Sequence, residues 1–226
     1  MLPQLLLILL LLPPVARAVS AEPVILVLGD SLSAAHGMAQ KSGWVSLLQN
    51  RLRRNAYDYR VVNTSISGET TRGALMRLDN SLGRWQPAIV IVELGANDGL
   101  RGLSLQTMRR NLAAIIEGTL AHHAQVLLLG MRLPPNYGPL YSRQFYRSYR
   151  QLAEHYAVGL LPFLLDGMAK DPTLFQQDGM HPTAAAQPIL LANVWRVLRP
   201  LLSQRHQNQA IKQDGFNDHQ PGREIP

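Results

Sequence analysis

Residues 87–98 read Pro-Ala-Ile-Val-Ile-Val-Glu-Leu-Gly-Ala-Asn-Asp, and the run Ala88–Leu94 within them decides the fold class. It is nearly continuous in aliphatic side chains and does not alternate with polar ones. That pattern suits a strand buried on both faces, and Pro87 and Gly95 bound it. Working outward, Val24–Leu28 repeats the pattern and stops at Gly29, and Gln125–Leu129 repeats it again. Tyr59–Val62 and Ala157–Leu161 are shorter strand candidates. Between them lie helical patterns. Gly43–Arg54 puts Trp44, Leu47, Leu48 and Leu52 on one face, and Leu105, Met108, Leu112, Ile115, Ile116 and Leu120 recur at helical spacing after a capping Ser104. Tyr141–Tyr156 and Ala184–Leu198 complete the set. Strands alternating with helices predict an α/β fold, a three-layer α/β/α sandwich around a mostly five-stranded parallel sheet. Its crossovers should be right-handed, and its ligands should sit beyond the carboxyl ends of the strands.

The length of 226 residues fits one domain with short appendages, and a hydrophobic fraction of 46% supports a sizeable core. The chain contains no cysteine. That excludes disulfide scaffolds, Cys-based zinc sites, iron–sulfur clusters, thiol catalysis and lipidation through cysteine. Lys and Arg number 22 against 15 for Asp and Glu, a net charge of +7. The basic residues are scattered, with short groups at Arg51–Arg54 and Arg109-Arg110, so solvated faces are expected and nucleic-acid binding is not. No Walker or Gly-x-Gly-x-x-Gly pattern occurs, and no cofactor or metal is called for.

At the start, Leu5–Leu12 is an unbroken aliphatic run followed by Pro13, Pro14 and small residues. It is too short to cross a bilayer and has the length of a signal-peptide core. Residues 1–21 are therefore expected to be an export signal, cut after Ala18 or Ala21, which directs the protein to the periplasm or beyond with no stable transmembrane anchor; the alternative reading is a buried or retained N-terminal helix. Residues 22–203 form the expected domain. Residues 204–226, rich in Gln, Asn, Asp, Gly and Pro, are expected to be a polar, flexible tail. A monomer is the default.

Four polar clusters follow strands or precede the last helix. Gly29-Asp30-Ser31-Leu32-Ser33 follows the first strand, where Ser31 could cap a helix or serve as a nucleophile held at the sheet edge. Ser65–Thr70 follows the second strand. Gly68 there could make a turn, or bring a bare backbone amide close to an oxyanion. After the clearest strand, Asn97 could make an Asx turn or point an amide into the site. The fourth cluster is Asp178-Gly-Met-His181-Pro, with an acid three residues before an imidazole. As a pair they could be a structural link or an oriented base. His36, His122, His123, His155, His206 and His219 have no comparable setting in the sequence.

Together the blocks GDSLS, SGETT, GANDGLRG and DGMHP, in that order from Val24 to Pro200, resemble the SGNH (GDSL-type) serine hydrolases. The resemblance is strongest to their bacterial periplasmic thioesterase I, lysophospholipase L1 and arylesterase group. It implies a flavodoxin-like sheet, a triad of Ser31, Asp178 and His181, and an oxyanion hole from Ser31, Gly68 and Asn97. It also implies an acyl groove bordered by Leu133, Pro134 and Tyr137, unless that stretch is only a rigid crossover loop. The substrates implied are small acyl esters, thioesters or lysophospholipids. Asp30 and Asp98 are expected to support the turns rather than react. Three alternatives stand beside this reading. They are a carbohydrate O-acetyl esterase with the same triad, a metal-dependent phosphoesterase using Asp30, Asp98, Asp178 and His181, and a non-catalytic lipid-binding module.

Overall fold

A computed structural model describes residues 22–217, with side chains described as far as Leu202. The expected signal segment, residues 1–21, and the end of the expected tail, residues 218–226, lie outside the described residues. Five strands form one parallel sheet in the order β2-β1-β3-β4-β5: β1 Val24–Gly29, β2 Arg60–Asn63, β3 Ile89–Glu93, β4 Gln125–Leu129 and β5 Gly159–Leu161. Every residue of β1 and β3 is buried, as their aliphatic runs require, and the Glu93 that ends β3 is buried with them. β2 is half-buried because it lies at an edge.

The helices are α1 Trp44–Arg54, α2 Thr71–Met76, α3 Leu78–Trp85, α4 Ala96–Leu100, α5 Leu105–Ala121, α6 Pro139–Tyr156 and α7 Gln187–Asn217. The chain leaves β1 in one direction to build β2 and then crosses back to β3. Right-handed crossovers therefore send α1 to one face of the sheet and α2, α3, α5 and α6 to the other. Accordingly α1 packs on α7, while α5 packs on α2, α3 and α6. The α1–α7 layer is pinned by the buried side chain of Gln187, whose Oε1 accepts the Trp44 N–H at 2.9 Å. The strand order reverses at β1, so a crevice opens at the carboxyl ends of β1 and β3. That is the position of the polar clusters.

Several expectations shift in detail. Ser104 does cap α5, accepting the Thr107 N–H. No regular helix begins at Ser31; residues 31–37 are consecutive turns, which removes the helix-cap reading of that serine. α2, α3 and α4 have only five to eight residues each, too few for a periodic signal. The last helix begins with a tight turn at Ala184–Ala186 and runs to Asn217, well past the expected Leu198 and into the stretch read as tail. Among the described residues no helix is long and apolar enough to cross a membrane.

The passage from β3 into α4 leaves almost no room. Gly95 has φ +107°, a conformation that side chains avoid, and a Cβ there would sit 2.5 Å from the Tyr149 hydroxyl. That hydroxyl donates to the Leu94 carbonyl at 3.0 Å, which ties α6 to the strand end. Gly95→Ala is expected to cost about 2 kcal/mol or more through backbone strain alone. Thermal denaturation should show a midpoint lowered by about 4 °C or more.

Candidate active site

Each strand end contributes one piece. After β1, the Asp30 carboxylate folds back on its own turn and accepts the Leu32 N–H at 3.1 Å, while the Asp30 carbonyl accepts the Ala34 N–H. This local closure leaves Ser31 at the apex. Among the described residues, the Ser31 N–H finds no acceptor. After β2, the Gly68 turn takes φ +79°. Its carbonyl accepts from Arg101 Nη2 at 2.9 Å, whereas its N–H likewise has no acceptor among the described residues. Beside it, Glu69 is held by Arg77 at 2.8 Å.

After β3, Asn97 stands in the first turn of α4, not in a loop as its position after the strand suggested. One of the two N–H groups on Asn97 Nδ2 reaches Asp30 Oδ2 at 3.1 Å, which leaves the other for a ligand. The neighbouring Asp98 is buried and fully engaged. Its two oxygens accept the backbone N–H and the hydroxyl of Thr71, at 2.9 and 2.6 Å, and so lock α4 to the start of α2.

The turn before α7 completes the constellation. Asp178 Oδ1 accepts the N–H groups of Met180 and His181, both at 2.9 Å, with Gly179 at φ +65° between them. The same carboxylate turns its Oδ2 to His181 Nδ1 at 2.7 Å. Spacing of three thus works because one acid both shapes the turn and orients the ring. The His181 N–H, the imidazole and the Met180 N–H together hold the Asp178 carboxyl well below its ordinary range. The other ring nitrogen, Nε2, lies 3.0 Å from Ser31 Oγ.

Two residues that the sequence did not single out hold this turn in place. Gln176 Nε2 donates to the carbonyls of His36 and Pro182, at 2.8 and 3.1 Å, and so staples the histidine turn to the serine turn. The His36 ring lies against the His181 ring, centroids 4.3 Å apart. This corrects the expectation that His36 has no special setting; the compact 31–37 turn brings it there.

Ser31, His181 and Asn97 open on a cavity of about 740 Å³, of the size that small-molecule ligands occupy. Its walls are largely apolar: Leu100, Met131, Leu133, Phe163, Leu165 and Phe175 among them. Of the three expected groove residues, Leu133 and Pro134 line it and Tyr137 does not. The Tyr137 hydroxyl instead donates to the Leu100 carbonyl at 2.8 Å, bracing one wall from behind. Asp30, Asp98, Asp178 and His181 do not converge, and no three His, Asp or Glu side chains among the described residues form a metal-holding group.

Residues 27–188 match the GDSL-like lipase/acylhydrolase family. The chain belongs to that family. It is thus an acyl-ester hydrolase built on the SGNH sheet. It is 50% identical over 183 residues to esterase TesA of Pseudomonas aeruginosa, covering 81% of this chain and 91% of the relative. The identity is 40% over 187 residues to thioesterase 1/protease 1/lysophospholipase L1 of Escherichia coli, covering 83% of this chain and 88% of that one. Among solved structures, the psychrotrophic esterase EstA of Pseudoalteromonas, inhibited by monoethylphosphonate, superposes with a TM-score of 0.77 at 42% identity. That match covers 80% of this chain and 98% of EstA.

Burial raises the Asp30 carboxyl to about 6, against the opposing pull of the Leu32 N–H, Glu93, His181 and Asn97. A folded-state value above the ordinary 3.8 means that protonation favours the folded protein. Stability from this group is therefore gained as pH falls through about 6 and lost as it rises. In thermal melts, wild type should gain stability relative to Asp30→Asn as pH is lowered from about 7 to about 5. A constant difference between the two proteins would contradict this.

Proposed function

We propose that the protein is a serine esterase and thioesterase that works through a covalent acyl-enzyme. In this reading Ser31 is the nucleophile, His181 the general base and then the acid, and Asp178 the group that orients the imidazole. The observation that carries it is the 3.0 Å contact between His181 Nε2 and Ser31 Oγ at the mouth of an apolar cavity. His181 takes the serine proton as Oγ attacks the acyl carbon, and Asp178 favours the imidazolium that forms. The oxyanion then accepts from the Ser31 N–H, the Gly68 N–H and the free N–H of Asn97. Collapse expels the alcohol, protonated by His181, or a thiolate that needs less help. Water, deprotonated by the same imidazole, releases the acid and regenerates Ser31.

The substrates proposed are small acyl esters and thioesters, including aryl esters and lysophospholipids. Support comes from the apolar walls, which take up an acyl chain at about 0.8 kcal/mol per methylene buried. Support also comes from the activities that the relatives' names carry. The chain is proposed to be exported to the periplasm or beyond by residues 1–21. Residues 22–203 are proposed to act as a monomeric hydrolase domain, with 204–226 a polar appendage.

The test is a set of initial rates for wild type and Ser31→Ala on esters from acetyl to palmitoyl, with matched thioesters. Wild type should gain about fourfold in kcat/KM per methylene until the groove is filled, and Ser31→Ala should sit at background. Equal rates in both proteins would remove the serine mechanism, and a strict preference for acetyl would favour the O-acetyl esterase. Asn97→Ala should lose about 10²–10³ in kcat, the usual effect of deleting one oxyanion donor.

A further inference from the structure

Beneath the Ser31 turn lies a carboxyl group that the chemistry above does not use. Glu93 ends β3, is entirely buried, and is the one charged residue in an otherwise aliphatic strand. Its Oε2 accepts two hydrogen bonds from the nucleophile turn, from the Ser33 hydroxyl at 2.8 Å and from the Asp30 N–H at 3.3 Å. Its Oε1 meets no N–H or O–H donor among the described residues. The Glu93 carboxyl is also paired with the carboxyl of Asp30 through a side-chain hydrogen bond.

Two buried carboxylates cannot both be ionised at such range; one proton must be shared. The geometry says where it sits. Asp30 accepts from Leu32 N–H and from Asn97 Nδ2, so both its oxygens already act as acceptors. Glu93 Oε2 is likewise an acceptor, which leaves Oε1 as the oxygen that bears the proton. Burial and the neighbouring Asp30 charge both raise the Glu93 carboxyl far above its ordinary range, in agreement with this assignment.

We propose that Glu93 is a positioning residue for acyl transfer: as the proton-bearing member of the pair it donates to Asp30, and through Asp30 it fixes the Ser31 turn and aims the Asn97 amide. The clamp runs both ways, since Asp30 N–H donates to Glu93 while Glu93 O–H donates to the Asp30 carboxylate. Asp30 in turn holds one N–H of Asn97, which orients the other toward the oxyanion. A one-ångström drift in either element would cost about 10²-fold in rate. The inference rests on the serine-esterase reading.

The test compares Glu93→Gln and Glu93→Leu with wild type and Ser31→Ala, using a short-chain chromogenic ester over the pH range in which all fold. Glutamine keeps a neutral acceptor and donor, so Glu93→Gln should retain kcat within about threefold. Glu93→Leu should lose about 10- to 100-fold in kcat with KM little changed. The titratable groups facing the pair are His181, which acts on Asp30, and Tyr149, on which both acids act. Within the pair, Asp30 loses a donor in Glu93→Leu, so the acid limb of that variant's pH–rate profile should move to higher pH. Independently of any variant's folding, wild type near neutral pH should show the infrared carbonyl band of a protonated carboxylic acid, absent from Glu93→Gln.

Loss in Glu93→Gln as deep as in Glu93→Leu, full activity in Glu93→Leu, or no protonated-acid band would each overturn the proposal. Wild type without turnover, or turnover that survives Ser31→Ala, would overturn the esterase reading instead.

Discussion

A hydrogen bond between residues 150 positions apart, with the Ser31 hydroxyl donating to His181 Nε2, is the contact on which the rest of the molecule depends. Neither residue's local sequence can form it. The serine is delivered by the end of β1 and the histidine by the turn before α7, and both turns must arrive at the same edge of the sheet. The strand order supplies that edge, because the reversal at β1 opens a crevice where β1 and β3 end side by side. The α1–α7 layer, pinned by Gln187, then brings the histidine turn back across it. Gln176 closes the remaining gap by holding the carbonyls of His36 and Pro182 together.

Polar groups in the interior follow from the same demand. A nucleophile turn must be rigid, yet it sits where the sheet is driest, so its backbone groups need partners that do not bring water. Asp30, Glu93, Ser33 and Asn97 satisfy one another within a buried network, and Asp98 does the same for Thr71. A buried network is stabilising only when its members are paired. Here a shared proton pairs the two acids. The exposed Asp178 is the opposite case, an acid kept ionised by N–H donors and by the imidazole it orients.

Much of this was legible in the sequence, for identifiable reasons. Short continuous aliphatic runs bounded by Gly or Pro suit doubly buried strands, so β1, β3 and β4 and the parallel sheet followed from them. The residues proposed to bear chemistry stand where the sequence reading put them, Ser31, Gly68 and Asn97 after strands and Asp178 with His181 in the turn before the last helix. What escaped notice was set by tertiary placement. α2, α3 and α4 are too short to show a period. Tyr137 stands in the expected wall segment but faces its back, because its hydroxyl is drawn to Leu100. His36 reaches His181 only through the run of tight turns after Ser31. Glu93 did carry a signal, a lone acid inside AIVIVEL, yet its partner could be found only in three dimensions.

The central claim is that the fold singles out one hydroxyl, Ser31, by placing His181 against it. Mass spectrometry after exposure to a fluorophosphonate, which phosphonylates activated serines, tests this most directly. The account predicts a single adduct, on the peptide containing Ser31 and on that residue, formed together with loss of activity and absent from His181→Ala. An adduct on Ser33 or Ser67, or full turnover in a protein that takes up no label, would contradict it.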